Sequence, residues 1–278
     1  MVRPTVAILG AGAIGEALTV GLLAAGWQPQ ELTLAARRSE RAAAVEERTA
    51  VRTLLDAADA ASGKDVVVVS VKPRDVPQLL SQVAGHIRPQ QVVLSLAAGV
   101  PTTVFEERLP DVPVVRAMPN TPALVGEGIT AYAAGRQADD QALRRAEEVL
   151  ESVGSSVRLD EQLLDAVTAV SGTGPAYLFL LAEALIEAAV REGLPRDVAE
   201  RLVDQTVKGS GVLLVETGLT ASELRAQVTS PGGTTAAAVH VLEERGFRAL
   251  VEDAVRAAAR RSRELGAAAS STGDLQGV

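Results

Sequence analysis

The chain has 278 residues, 47% of them hydrophobic, enough to bury a sizeable core as one large domain or two ordinary ones. A net charge of −8 and an aromatic content of 2% argue against a nucleic-acid surface or an anionic membrane as partner. The absence of cysteine excludes disulfides, thiol nucleophiles and thiolate metal sites, and only two histidines, His86 and His240, are present.

In chain order, the first short apolar run is Val6 to Leu9. Four such residues followed at once by a glycine turn do not make a secretory signal, so a cytoplasmic protein is expected. Further β-branched runs follow at Leu32 to Ala35, Val66 to Val71, Val92 to Leu96, Val112 to Ala117, Ile129 to Ala133 and Ser156 to Leu159, separated by helical stretches. Runs apolar at every position predict strands covered on both faces. The expected fold is therefore α/β: a doubly wound (Rossmann) parallel sheet over residues 1–160, followed by an all-α domain over 161–278.

In the second half, Pro175 suits the first turn of a helix running to about Glu192. Glu183 and Glu187 interrupt the stretch Ala176 to Val190, which favours a buried helix over a membrane span. That stretch is also apolar on most of its circumference, more than one intramolecular face requires, and this predicts a dimer interface. Pro195 opens a helix to about Glu216, and a last helix is expected from Gly233 through Glu264 with a bend near Gly246. The tail 267–278, small and polar, is expected to fray.

The first motif with chemistry is Gly10-Ala11-Gly12-Ala13-Ile14-Gly15, set between the first strand and a helix through Leu23. Glycines there allow a tight turn and close backbone approach to a pyrophosphate, while the helix N-terminus supplies amides. A carboxylate for a ribose 2′-hydroxyl is lacking at the end of the second strand, where Arg37, Arg38 and Ser39 stand instead. Two guanidiniums and a hydroxyl suit a 2′-phosphate, so NADP(H) is the preferred cofactor and NAD(H) a possible second.

Two more strands end in Val71-Lys72-Pro73 and Ala97-Ala98-Gly99, at the sheet edge where open α/β folds bind ligands. Asn120 is presented between Pro119 and Pro122. The loop Ser230-Pro231-Gly232-Gly233-Thr234-Thr235 frees successive amides at a helix N-terminus among hydroxyls, a site for a small anion such as a carboxylate. Neither histidine has ligand neighbours at metal spacing, so no metal is expected.

The six motifs, GAGAIG at 10–15, VKP at 71–73, AAGV at 97–100, MPNTP at 118–122, SGTGPAY at 171–177 and VTSPGGTT at 228–235, closely resemble in order and spacing those of the pyrroline-5-carboxylate reductases. The likeness covers nearly the whole chain. It implies reduction of the cyclic imine 1-pyrroline-5-carboxylate to L-proline by NAD(P)H. It also implies a dimer with interleaved helical domains, assembled in some members into a larger ring.

By the same likeness, Gly10 to Gly15, Arg37, Val71 to Pro73 and Ala97 to Gly99 line the cofactor, and Ser230 to Thr235 hold the substrate carboxylate with Thr235 facing the ring nitrogen. Asn120 is expected beside cofactor and substrate, and Thr173 on the substrate side. Two residues depart from the family pattern: Ala57 stands where many members carry asparagine, and Thr173 where serine is common.

Two other readings stay open. A β-hydroxyacid or ketoacid reductase needs a general acid, for which Lys208 is the only lysine of the helical half. A non-catalytic NADP-binding protein would use the glycine loop alone.

Overall fold

The computed structural model describes residues 3–271. The chain packs as two compact units, one made of Met1–Thr173 and Ala257–Val278, the other of Gly174–Arg256. The expected division at 160/161 follows secondary-structure content, whereas the compact units follow packing.

The first unit carries one sheet of eight strands, β1 Val6–Leu9, β2 Leu32–Ala35, β3 Thr53–Leu54, β4 Val66–Val69, β5 Val92–Ser95, β6 Val114–Met118, β7 Gly128–Ala134 and β8 Gly154–Arg158, in the order β3-β2-β1-β4-β5-β6-β7-β8. All pairs are parallel except β6 with β7. Nine residues separate β6 from β7, too few for a crossover helix, so the chain turns back on itself there.

Successive residues of a strand point to opposite faces, and both faces of this sheet are covered. Val6 and Ile8 pack with Leu18 and Leu22 of α1 (Ala13–Ala24) and Val149 of α6 (Asp140–Glu151). Ala7 and Leu9 pack on the other side, with Leu80 and Val83 of α4 (Val76–Val83) and with Phe105 of α5 (Thr102–Glu106). Hence β1, β2, β4 and β5 are buried at every position, the reason their sequences lack alternation. Two short helices on the early edge, α2 (Ser39–Thr49) and α3 (Ala57–Ala61), complete the first half.

The strand bounds differ from expectation by up to two residues at each end, and β3 went unforeseen because two residues carry no period. After α7 (Leu164–Val167), a π-helical turn spans Thr168–Gly172.

The second unit is helical: α8 (Gly174–Arg191), α9 (Arg196–Glu216), α10 (Ala221–Gln227), α11 (Thr234–Glu244) and the start of α12 (Phe247–Ser271). α10 had not been expected, although Thr220 and Glu223 form a capping box at its start. The long final helix is interrupted, not merely bent: α11 stops at Glu244 and Gly246 takes φ +74 before α12 begins. Within the tail expected to fray, residues through Ser271 are assigned to α12, and 272–278 lie outside the described residues.

The expectation that the 176–190 stretch is buried also fails for the single chain. α8 has no buried residue, and Phe179 and Leu180 are 68% and 66% exposed. By length and mean hydropathy, 1.4 over its most apolar window, the helical stretch Glu161–Arg191 would also suffice to cross a membrane. Counting interrupting charges had excluded this, but two glutamates are not enough to do so.

Candidate active site

Strand order reverses between β1 and β4, since β2 and β3 lie to one side of β1 and the later strands to the other. In open α/β sheets ligands bind in the crevice above such a switch point, at the carboxyl ends of the strands. A cleft of about 700 Å³ lies there, walled by Gly10 to Gly12, Ala35 to Arg38, Arg41, Ser70 to Lys72, Asp75 and Gln78, among others.

The glycine loop is shaped by contact with β4. A Cβ on Gly15 would sit 2.0 Å from the Gly10 carbonyl oxygen, and Gly10 itself has φ +125. Ser70 Oγ donates to the Gly10 carbonyl at 2.8 Å, tying the loop to the end of β4. Gly12 differs, because a Cβ there would meet nothing within 4 Å. Gly12 is also the N-cap of α1 and no side chain caps that helix, so its first amides keep their donor capacity beside the cleft.

Four cations border the cleft: Arg37, Arg38, Arg41 and Lys72. Arg37 is 77% exposed and lies 3.2 Å from the Asp75 carboxylate. Arg41 is committed to the loop, donating from Nε to the Ala11 carbonyl at 2.7 Å and from its terminal nitrogen to Glu16, which Arg48 also holds. Burial alone would raise the Glu16 pKa, but the hydrogen bonds from Arg48 and Arg41 outweigh it and hold the carboxyl below its usual range.

Open glycine space, uncapped amides and guanidiniums at the end of β2 fit a dinucleotide carrying a 2′-phosphate. Ser70 and Arg41 had not been singled out from sequence. They act on backbone carbonyls of the loop, and only the turn after β4 and the Arg37-Arg38-Ser39-Glu40-Arg41 run hinted at them.

Of the other residues expected near the cofactor, Val71 and Lys72 line the cleft. Pro73 opens the 3-10 turn Pro73–Asp75. Ser39 is exposed at the start of α2, and Ala13 and Ile14 are exposed on the first turn of α1. Ala57 lines the cleft with only a methyl group, beside Asp56, which caps α3 by accepting from Ala58 at 2.7 Å.

Ala97, Ala98 and Gly99 form the loop after β5, outside the lining of this cleft; Ala97 is 2% exposed. Asn120 uses Oδ1 to accept from the Ile129 amide at 3.0 Å, which fixes the turn between β6 and β7. The Thr173 hydroxyl donates to the Thr168 carbonyl at 2.9 Å, closing the π turn.

Ser230 to Thr235 belong to the second unit. Gly233 donates to the Ser230 carbonyl at 3.1 Å, and a Cβ on Gly233 would strike Ser230 Oγ at 2.5 Å. Gly233 is also the N-cap of α11, again with no side-chain cap, and Thr235 is half-buried in the first turn. Lys208 is exposed on α9, His240 exposed on α11 and His86 exposed before β5. Among the described residues no three His, Cys, Asp or Glu side chains cluster for a metal.

The fold and the cleft define a dinucleotide-binding oxidoreductase with an appended helical unit. The family profile described as "NADP oxidoreductase coenzyme F420-dependent" matches residues 5–99, and "Pyrroline-5-carboxylate reductase dimerisation" matches 161–265. Pyrroline-5-carboxylate reductases of Corynebacterium melassecola and Mycobacterium tuberculosis are 44% and 45% identical to the chain, covering 94% of it and 98% and 96% of their own lengths.

Among solved structures, a pyrroline-5-carboxylate reductase of Coxiella burnetii superposes with a TM-score of 0.88 at 36% identity, over 95% of this chain and 99% of that one. The Plasmodium falciparum enzyme with NADP bound gives 0.86 at 29% identity, over 96% and 99%. The chain belongs to the pyrroline-5-carboxylate reductase family.

Proposed function

We propose that the chain reduces 1-pyrroline-5-carboxylate to L-proline with NADPH, the last step of proline biosynthesis. What carries this reading is the joint presence of the cleft above β1 and β4 and of near full-length likeness to enzymes of that name. When bound, NADPH supplies the hydride that adds to the imine carbon. The chain's own task is to hold donor and acceptor carbons about 3 to 3.5 Å apart and to keep the imine in its electrophilic, protonated form.

The glycine loop and first amides of α1 would hold the pyrophosphate, with Arg37 and Arg38 at the 2′-phosphate. Val71, Lys72 and Pro73, with the Ala97 to Gly99 loop, would flank the remainder. The uncapped amides after Gly233 would take the substrate carboxylate, with Ser230, Gly232, Thr234, Asn120 and Thr173 around the ring. Thr235 would place its hydroxyl at the ring nitrogen, holding or delivering the proton that this basic atom needs. No stronger acid is required, which is why a protein poor in histidine and cysteine suffices.

A homodimer through the helical unit belongs to this reading. The bare apolar flanks of α8 and α9, with Val215 81% exposed, lie in the region that the dimerisation profile matches and suit a second copy as their cover. The same cover accounts for the apolar stretch 161–191 without a membrane. Assembly of dimers into a larger ring and a cytoplasmic location complete the proposal. No specific observation favours the β-hydroxyacid reductase reading, since Lys208 is a solvated position.

The test is direct. Pure protein mixed with NADPH and 1-pyrroline-5-carboxylate should consume the reduced cofactor, followed by its absorbance, with proline as product. NADPH binding without oxidation would leave a binding protein instead.

A further inference from the structure

NAD-preferring folds place a carboxylate at the end of the second strand to accept from the ribose 2′-hydroxyl. Here β2 is followed by Ala36-Arg37-Arg38 and no carboxylate stands at its end. The structure brings one in from across the cleft. Asp75 closes the 3-10 turn after β4, its side chain is 19% exposed, and its Oδ2 lies 3.2 Å from the Arg37 guanidinium.

That pairing is coulombic and not a directed hydrogen bond. Oδ2 is shut off from solvent and makes no hydrogen bond, the Arg37 guanidinium 3.2 Å away included. The other oxygen, Oδ1, lies 3.9 Å from Arg74 Nε, too far for a hydrogen bond. Nor does helix capping account for the carboxylate: Asp75 is the N-cap residue of α4 and its side chain makes no cap bond.

A desolvated carboxylate oxygen without a donor is costly, and the molecule that fills the cleft is the natural source of one. Asp75, Arg37 and Arg38 line the same cleft. Arg37 stands two residues past the end of β2, where the 2′ position of the ribose falls.

We propose that Asp75 sets the balance between the two nicotinamide dinucleotides at this cleft. The inference rests on the cofactor reading given above. A 2′-hydroxyl has a proton to give to the Asp75 carboxylate, whose side chain keeps some exposure at the cleft. A 2′-phosphate is an acceptor carrying close to two negative charges at neutral pH; it is repelled by Asp75 and must draw Arg37 away from it. Arg37 and Arg38 therefore favour NADPH while Asp75 opposes them, and the pair together admits both cofactors.

Asp75→Asn keeps the shape, removes the charge and places an amide donor in the cleft. Fluorescence titration of the full chain with NADPH and with NADH should show NADPH binding tightened, NADH binding weakened, and the affinity ratio raised about tenfold, the size expected for one hydrogen bond to a charged group. Thermal unfolding followed by circular dichroism confirms that the variant is folded, and Asp75→Ser must move the ratio in the same direction. A ratio within twofold of wild type in folded variants overturns the inference while leaving the cofactor reading intact. A wild-type chain that binds neither cofactor overturns both.

Discussion

Ser262, near the end of the last helix, donates a 2.6 Å hydrogen bond to Asp165, 97 residues earlier. Asp165 lies 3.7 Å from Arg116, whose side chain on β6 is only 8% exposed and which also pairs with Glu161 at 3.2 Å. Glu161 in turn accepts from the amide and hydroxyl of Thr102, both at 2.7 Å. The end of α12 is thereby fastened to β6 and to the segment just after the Ala97 to Gly99 loop. At the same place Gly99 and Gly266 meet backbone to backbone.

This contact leaves no space for a side chain. A Cβ on Gly266 would fall 2.1 Å from the Gly99 carbonyl oxygen, so one of the two backbone segments must move to admit it. Gly266→Ala should cost about 1 to 3 kcal/mol in urea unfolding, the usual range for overpacking. Because the Ala97 to Gly99 loop must shift with it, NADPH affinity in fluorescence titration should fall several-fold. Unchanged affinity would detach this helix from the cofactor site.

Two glycines of the first loop should separate folding from binding. Gly15→Ala places a methyl 2.0 Å from the Gly10 carbonyl and 2.8 Å from Ser70 Oγ, so the melting temperature should drop. Gly12→Ala meets nothing within 4 Å and should leave melting unaltered. Its methyl instead enters the space required by the pyrophosphate, and NADPH binding should be largely lost.

Replacing both Arg37 and Arg38 by alanine should raise the Michaelis constant for NADPH tenfold or so, with the constant for NADH little altered, since charge-assisted bonds to a 2′-phosphate vanish. Steady-state kinetics with each cofactor measures this. Equal changes for the two would mean that the arginines serve another part of the molecule.

Thr235→Ala should lower turnover by about 10² with little change in NADPH affinity, the scale of one positioned proton donor. Thr235→Ser, which retains the hydroxyl, should recover most of it. Full turnover in the alanine variant would remove Thr235 from the chemistry.

Stability should fall at both ends of the pH range for different reasons. Burial opposes ionisation of Glu16, but the bonds from Arg48 and Arg41 prevail and its folded pKa lies below the unfolded one. Its contribution is therefore full above the ordinary glutamate value of about 4.3 and is lost as pH falls through the folded pKa. Tyr132 runs the other way: burial and the hydrogen bond it donates to Glu147 push its phenol from 10.0 up to about 12. That contribution is full below 10 and lost as pH rises toward about 12. Urea midpoints across pH should show a shallower acid limb in Glu16→Gln and a shallower alkaline limb in Tyr132→Phe.

How legible a feature was depended on whether its physics is local. Strands buried on both faces announce themselves, as Val66 to Val69 does, because every side chain must be apolar. The glycine loop is legible because only glycine tolerates the Gly10 to Gly15 approach. Ser70, Arg41 and Asp75 were not, since each works on a group brought near by the fold: a carbonyl of the loop for the first two, a guanidinium across the cleft for the third. The same holds for the division into units, which depends on where residues after Ala257 settle and not on their own composition. Helix α10 is the opposite case, since the capping box of Thr220 and Glu223 that opens it is a local signal carried by the sequence itself.

The seating of Ser262 and Gly266 on the first unit also has a consequence for synthesis. All eight strands have left the ribosome once Arg158 has emerged, yet the loop after β5 gains its covering helix only after the whole of Gly174–Arg256 has been made. Of the two units, the nucleotide-binding one is thus begun before the helical one and finished after it. Messages cut short before Ser262 should yield a sheet whose ligand edge is left open, a natural mark for proteolytic quality control.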